Sequence, residues 1–110
     1  MNRNRTAGHR FELIILQKLK SIFPKILTSR NESRSKDAQK IDFCNTEPYQ
    51  LQAKLTMNFP GVNILDEMPE GKNVLIWGKV EKVNTRFMQR GTYAIMDFEL
   101  FKELINGQTR

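Results

Sequence analysis

The eight residues YQLQAKLT, 49–56, constrain this chain more than any other stretch. Leu51, Ala53 and Leu55 alternate strictly with Gln50, Gln52, Lys54 and Thr56. A strand sends successive side chains to opposite faces, so this segment has one apolar face and one polar face. Gln52 and Lys54 share the polar one. Just upstream, KIDFCN repeats the pattern, with Ile41 and Phe43 facing opposite to Asp42, and "TEP" supplies a turn. If the two strands pair as a hairpin with both apolar sets toward a core, Asp42 falls on the side of Gln52 and Lys54. Each polar residue alone reads as the solvent face of a ribbon. Together they gather a carboxylate, an amide and an ammonium group.

The remaining elements follow from periodicity and breakers. "HRFELIILQKLKSIF" has apolar residues at 11, 15, 16, 19, 22 and 23, the spacing of a helix, and Pro24 ends it. "KILTS" suits a short strand, and the polar "RNESRSKDAQK" reads as a loop. "FPGVNILDEMPEG" has room for one or two helical turns. "NVLIWGKVEKV" and "TYAIMDF" are strands joined by a loop, "NTRFMQRG". "ELFKELING" is a closing helix with Gly107 as its stop. The order gives an α/β chain with a small mixed sheet and helices packed on it. Its 110 residues suit a single domain over 9–107, preceded by a flexible basic arm over 1–8. With one cysteine, Cys44, no internal disulfide and no cysteine-based metal site is available, which fits a reducing cytoplasm. No apolar run reaches membrane-spanning length, and the basic N-terminus does not read as a signal peptide.

Charge is unevenly placed. Residues 1–40 hold ten Lys/Arg against three Asp/Glu, and residues 41–110 hold eight against nine. A basic excess confined to the first third reads either as a polyanion contact, most often nucleic acid, or as a solvated basic surface. Within the first helix, Glu12 shares a face with Leu16, Leu19 and Phe23. A carboxylate on an apolar stripe needs a cation or metal if buried. Alternatively it sits at the stripe's edge near the helix start, where an acid suits the helix dipole.

A helical Glu, then Asp42, nine residues, then Gln52-x-Lys54 resembles the PD-(D/E)XK nuclease superfamily. Among its members the chain looks most like the small archaeal-type Holliday-junction resolvases and their phage-borne relatives. "GHRFE" resembles that family's Gly-x-x-aromatic-Glu opening of the first helix. "TSRNESRSKDAQKID" resembles its Arg/Ser-rich approach to the catalytic Asp, and "NVLIWGKVEKV…GTYAIMDF" its later strand pair. The resemblance spans residues 3–105. It departs at Ile41, which stands where proline is usual, and at Gln52, which stands where a second metal carboxylate is usual.

The resemblance implies a restriction-endonuclease-like mixed β-sheet flanked by helices. It also implies a Mg²⁺-dependent endodeoxyribonuclease, with Mn²⁺ able to substitute. Glu12, Asp42, the Gln52 amide oxygen and the Ala53 carbonyl would hold the ion, since Mg²⁺ accepts amide oxygens as well as carboxylates. Lys54 would stabilise charge at the phosphate. Arg3, Arg5, Arg10, Arg30, Arg34, Lys36 and Lys40 would meet the DNA backbone, contacts that give position without sequence information. Ser35 is either a phosphate or metal-shell contact by the same resemblance or an ordinary loop residue. Arg86 and Arg90 are a further DNA contact or an exposed turn. No helix-turn-helix, zinc finger or aromatic-rich single-strand platform is legible, which fits recognition of branched duplex by shape.

A four-way junction has two scissile strands, so a homodimer is expected. Val74, Ile76, Val80, Ile95, Met96, Phe98, Leu100, Phe101 and Leu104 are divided between core and dimer interface. His9 reads as a helix-start or backbone-contact residue rather than a general base, and Trp77 and Cys44 as core. The expected setting is the cytoplasm of a bacterial, archaeal or phage-infected cell, with no membrane partner. Three alternatives remain: a DNA-binding module of the same fold weakened at Gln52, a nuclease for nicked, flapped or plain duplex, and a basic RNA- or ribosome-associated protein in which Glu12, Asp42 and Lys54 never meet.

Overall fold

The computed structural model describes residues 3–108. Helix α1 spans Arg3–Leu19. Strand β1 (Leu27–Thr28) is followed by short helices α2 (Ser29–Glu32) and α3 (Arg34–Ala38), then β2 (Phe43–Cys44) and β3 (Tyr49–Thr56). Helix α4 (Asn63–Asp66), the long strands β4 (Lys72–Val83) and β5 (Arg86–Met96), and α5 (Phe98–Gln108) complete the chain. This is a mixed α/β architecture with two sheets. β1 and β2 pair antiparallel, while β3, β4 and β5 form a three-stranded sheet in that order. In it β3 runs parallel and β5 antiparallel to β4.

Four expectations are corrected. First, α1 begins at Arg3, so residues 3–8, expected as an arm, are helical; Met1 and Asn2 lie outside the described residues. Second, the Asp42 segment and β3 do not form a hairpin ladder. β2 pairs with β1 instead, Leu27 opposite Cys44, and the Asn45 side chain donates to the Lys25 carbonyl at 2.8 Å, tying the end of β2 to the approach to β1. Third, "RNESRSKDAQK" holds α2 and α3 rather than a loop. Ser33 caps α3 by accepting a hydrogen bond from the Lys36 N–H at 3.2 Å. Fourth, the loop expected over "NTRFMQRG" is mostly strand. Only Asn84 and Thr85 lie between β4 and β5, and Asn84 supplies the positive φ that a tight hairpin requires.

One face of the three-stranded sheet packs under α1. Phe11, Ile15 and Leu16 meet Leu51 and Val74 there, joined by Ile26, Phe43 and Leu100 of α5. The apolar alternation holds: Leu51 is buried, and Ala53 and Leu55 pack against the core. Ile41 and Phe43 are buried while Asp42 is partly exposed. Gly78 lets α1 approach the sheet, because a Cβ there would sit 2.7 Å from Leu55 Cδ1 and 2.8 Å from the Phe11 ring. On the opposite face the α4 segment packs against β4, with Ile64 and Met68 buried. Asn73 anchors that segment by donating to the Leu65 and Pro69 carbonyls at 3.2 and 3.0 Å. Of the apolar set divided between core and interface, Val74 and Leu100 are buried, while Phe98 and Phe101 are exposed. Among the described residues no helix is long and apolar enough to cross a membrane.

Candidate active site

Three segments converge on one cavity of about 360 Å³. Helix α1 contributes Glu12, the residue before β2 contributes Asp42, and β3 contributes Gln52, Ala53 and Lys54. Arg30, Asp37 and Lys40 complete its charged lining. The five residues expected to hold metal and phosphate therefore do meet.

Asp42 is fixed to β3 twice. Its backbone N–H donates to the Leu51 carbonyl at 2.9 Å, and its Oδ2 accepts from the Ala53 N–H at 2.8 Å. Both bonds lie on the edge of β3 away from β4. A residue's N–H and C=O leave a strand on the same side, so the Ala53 carbonyl opens toward Asp42 as well. Ser29, a residue the sequence reading passed over, holds the strand from behind. Its hydroxyl donates to the Ile41 carbonyl at 2.6 Å, and its N–H to the Asp42 carbonyl at 2.8 Å.

Burial pushes the Asp42 carboxyl up to about 6, and the nearby charges of Glu12 and Asp37 push the same way. The Ala53 N–H and Lys54 oppose this without cancelling it. The ionised form of Asp42 is thus incompletely compensated where it is buried, although Arg30, Lys40 and Lys54 line the same cavity. Beside it, Gln52 is 3% exposed, and its Oε1 has no hydrogen-bond partner. A buried amide oxygen without a donor is costly. The donor set is made of oxygens, the preference of a hard divalent cation such as Mg²⁺. On these two observations the residues fit such an ion.

Glu12 departs from the simplest ligand picture. It is 6% exposed, and both its oxygens accept from Arg30, Nε to Oε1 at 3.0 Å and the guanidinium NH2 to Oε2 at 3.1 Å. Of the two readings of Glu12, the buried one with a cationic partner holds, and that partner is Arg30. The carboxylate in turn raises the Arg30 pKa and keeps the guanidinium charged. His9 Nδ1 lies 4.0 Å from Glu12 Oε1, buried and without a hydrogen bond. Among the described residues no three His, Cys, Asp or Glu side chains gather into a metal cage.

The basic residues divide. Arg30, Lys40 and Lys54 line the cavity, with Lys40 in a left-handed backbone conformation. Ser35 is exposed on α3 and does not line the cavity. The α3 helix turns it outward and presents Asp37 instead. Lys36 pairs with Glu47 at 3.5 Å; Arg10 and Arg34 are exposed outside the cavity. The side chains of Arg3 and Arg5 lie outside the described residues. Arg86 and Arg90 stand on β5, and Arg90 reaches Glu81 at 3.9 Å. Asp37 was absent from the expected site; the Ser33 cap in "SRSKD" was the signal for the helix that positions it.

No protein-family model, no curated protein and no solved structure matches the chain.

Proposed function

We propose that the chain is a Mg²⁺-dependent endodeoxyribonuclease of PD-(D/E)XK type with a restriction-endonuclease-like fold, acting on branched DNA such as four-way junctions. The observation that carries the reading is the shared cavity. Glu12, Asp42, Gln52, Ala53 and Lys54 come from three separated segments, yet line one basic-rimmed cleft. A basic RNA-associated protein with these as scattered surface groups has no reason to bring them together.

In this reading Asp42, Gln52 and the Ala53 carbonyl would hold the ion, with Glu12 close by on its Arg30 ion pair. When bound, the ion supplies Lewis acidity at the phosphate and lowers the pKa of a nucleophilic water. Lys54 sets a positive charge beside the scissile phosphate, where negative charge grows in the transition state. Arg30 and Lys40 hold the flanking backbone. Asp42, pinned by Leu51 and Ala53, keeps its free oxygen in place without reorganisation. Exposed Phe98, Phe101 and Ile105 on α5 offer an apolar face for the second copy that a two-fold junction calls for. Work on DNA within the cytoplasm accords with the lone unpaired cysteine.

A second reading, a DNA-binding module without chemistry, is favoured by the Arg30–Glu12 ion pair and by Gln52. Lys54→Met separates the two. Under the nuclease reading it lowers Mg²⁺-dependent cleavage of a labelled junction by about 10²- to 10³-fold and leaves junction affinity within a few-fold. Binding by the wild type with no cleavage to lose supports the second reading instead.

A further inference from the structure

Lys54, Trp77 and Tyr93 form one row across the three-stranded sheet. Lys54 is opposite Trp77 in the β3–β4 register, and Trp77 is opposite Tyr93 in the β4–β5 register. Register partners share a face, so both aromatic rings lie on the face that carries Gln52 and Lys54. The loop after β3 adds Phe59, whose ring meets Trp77 edge-on at 5.3 Å and 68°. Tyr93 lies at 5.7 Å from Trp77, tilted by 34°. We propose that Phe59, Trp77 and Tyr93 form a stacking platform for an unpaired nucleobase next to the phosphate held at Lys54. The proposal rests on the nucleic-acid reading of the cavity and refines its substrate class to DNA with an unstacked nucleotide.

Four features support this occupant. The platform is continuous with the cavity: the Trp77 indole N–H donates to Thr56 Oγ1 at 2.9 Å, and Thr56 lines the cavity. That bond also fixes the ring. The cluster is left open, since Phe59 is 50% and Tyr93 48% exposed while Leu75, on the same face, is fully buried. The backbone of β5 is shaped around Tyr93. Gly78 pairs with Thr92 but Val80 with Gln89, so Arg90 and Gly91 together oppose the single residue Lys79. A β-bulge of this kind re-aims a side chain. Gly91 has φ +135°, and a Cβ there would stand 3.1 Å from the Tyr93 ring and hydroxyl. Lastly, the nearby charges suit a phosphate. Lys54 makes no ion pair among the described residues, and Lys79, opposite Thr56, stands with Arg90 around the single acid Glu81.

The chemistry sets the class of ligand. Every base has a π-face, so aromatic stacking tolerates sequence but demands a base free of its duplex partner. Adjacent strands are roughly 4.8 Å apart, which puts Tyr93 roughly 10 Å across the sheet from Lys54. A nucleotide bound through its phosphate at Lys54 can lay its base over this row, whereas a paired base stays inside its helix. Junction centres, flaps and single strands meet the requirement; intact duplex does not.

Trp77 is the only tryptophan in the chain, so its emission reports on this platform alone. The test titrates the full chain, in EDTA, with a short oligothymidylate and with a blunt duplex of equal phosphate number. Quenching by the single strand, little by the duplex, and an affinity loss of about tenfold in Tyr93→Ala and Phe59→Ala are expected. Tyr93→Phe should keep the affinity, and circular dichroism should show all variants folded. Equal quenching by duplex, no quenching by the single strand, or unchanged affinity in folded Tyr93→Ala would overturn the platform. The two claims fail separately: quenching without metal-dependent cleavage sinks only the nuclease, and cleavage without quenching sinks only the platform.

Discussion

Replacing Asp42 with Asn should stabilise the metal-free protein, and by an amount that depends on pH. The folded chain holds this carboxyl at about 6 rather than the ordinary 3.8, chiefly by burial. Below about pH 3.8 it is protonated in both folded and unfolded chains, and nothing is lost. Above about pH 6 it is ionised in both, and the folded state carries the full penalty. Its contribution to stability therefore falls as pH rises between those values and stays low beyond. A shift of about two pH units corresponds to about 3 kcal/mol at 1.36 kcal/mol per unit. Asparagine keeps an oxygen to accept the Ala53 N–H and removes the charge. In EDTA at pH 8, Asp42→Asn should melt roughly 10 °C above wild type, and near pH 4 the two should nearly coincide. Added Mg²⁺ should raise the wild-type melting temperature and leave the variant's unchanged. Equal melting at pH 8, or a less stable variant there, would refute the claim that this carboxylate is held at a cost for a cation.

Gln52→Glu should lower metal-free stability, by adding a further carboxylate to the Glu12, Asp37 and Asp42 group, and should tighten Mg²⁺ binding by about tenfold or more, read by calorimetry. Arg30→Ala should cost about 2–3 kcal/mol in urea denaturation, because Glu12 is then buried without its partner; the figure is below the full penalty for a buried pair since Arg30 is about one-third exposed. Gly78→Ala should cost about 1–3 kcal/mol, as its Cβ meets Leu55 and Phe11.

The parts of the site that were legible in the sequence came from a local rule. Period-two alternation put Gln52 and Lys54 on one face, and Ile41 and Phe43 opposite Asp42. Placing Glu12 among Leu16 and Leu19 raised the need for a partner without naming it. Arg30 is 18 residues away and on a short helix whose segment has no apolar period to reveal it. Strand pairing was illegible for a related reason. β3 finds its neighbour β4 in parallel across an excursion that includes α4, while alternation says nothing about which strand lies alongside. The aromatic row was hidden most completely: Phe59, Trp77 and Tyr93 sit on three segments, and only the β4–β5 register and its bulge bring two of them together.

The central claim is that the cavity around Asp42 hydrolyses DNA with a divalent ion. Its most direct test is a labelled synthetic four-way junction incubated with wild type and with Asp42→Ala, with Mg²⁺ and with EDTA, against linear duplex. Paired symmetric nicks in the junction that require Mg²⁺ and vanish in Asp42→Ala are the expected result. Binding without cleavage, unchanged by the substitution and lost as salt is raised, would contradict it.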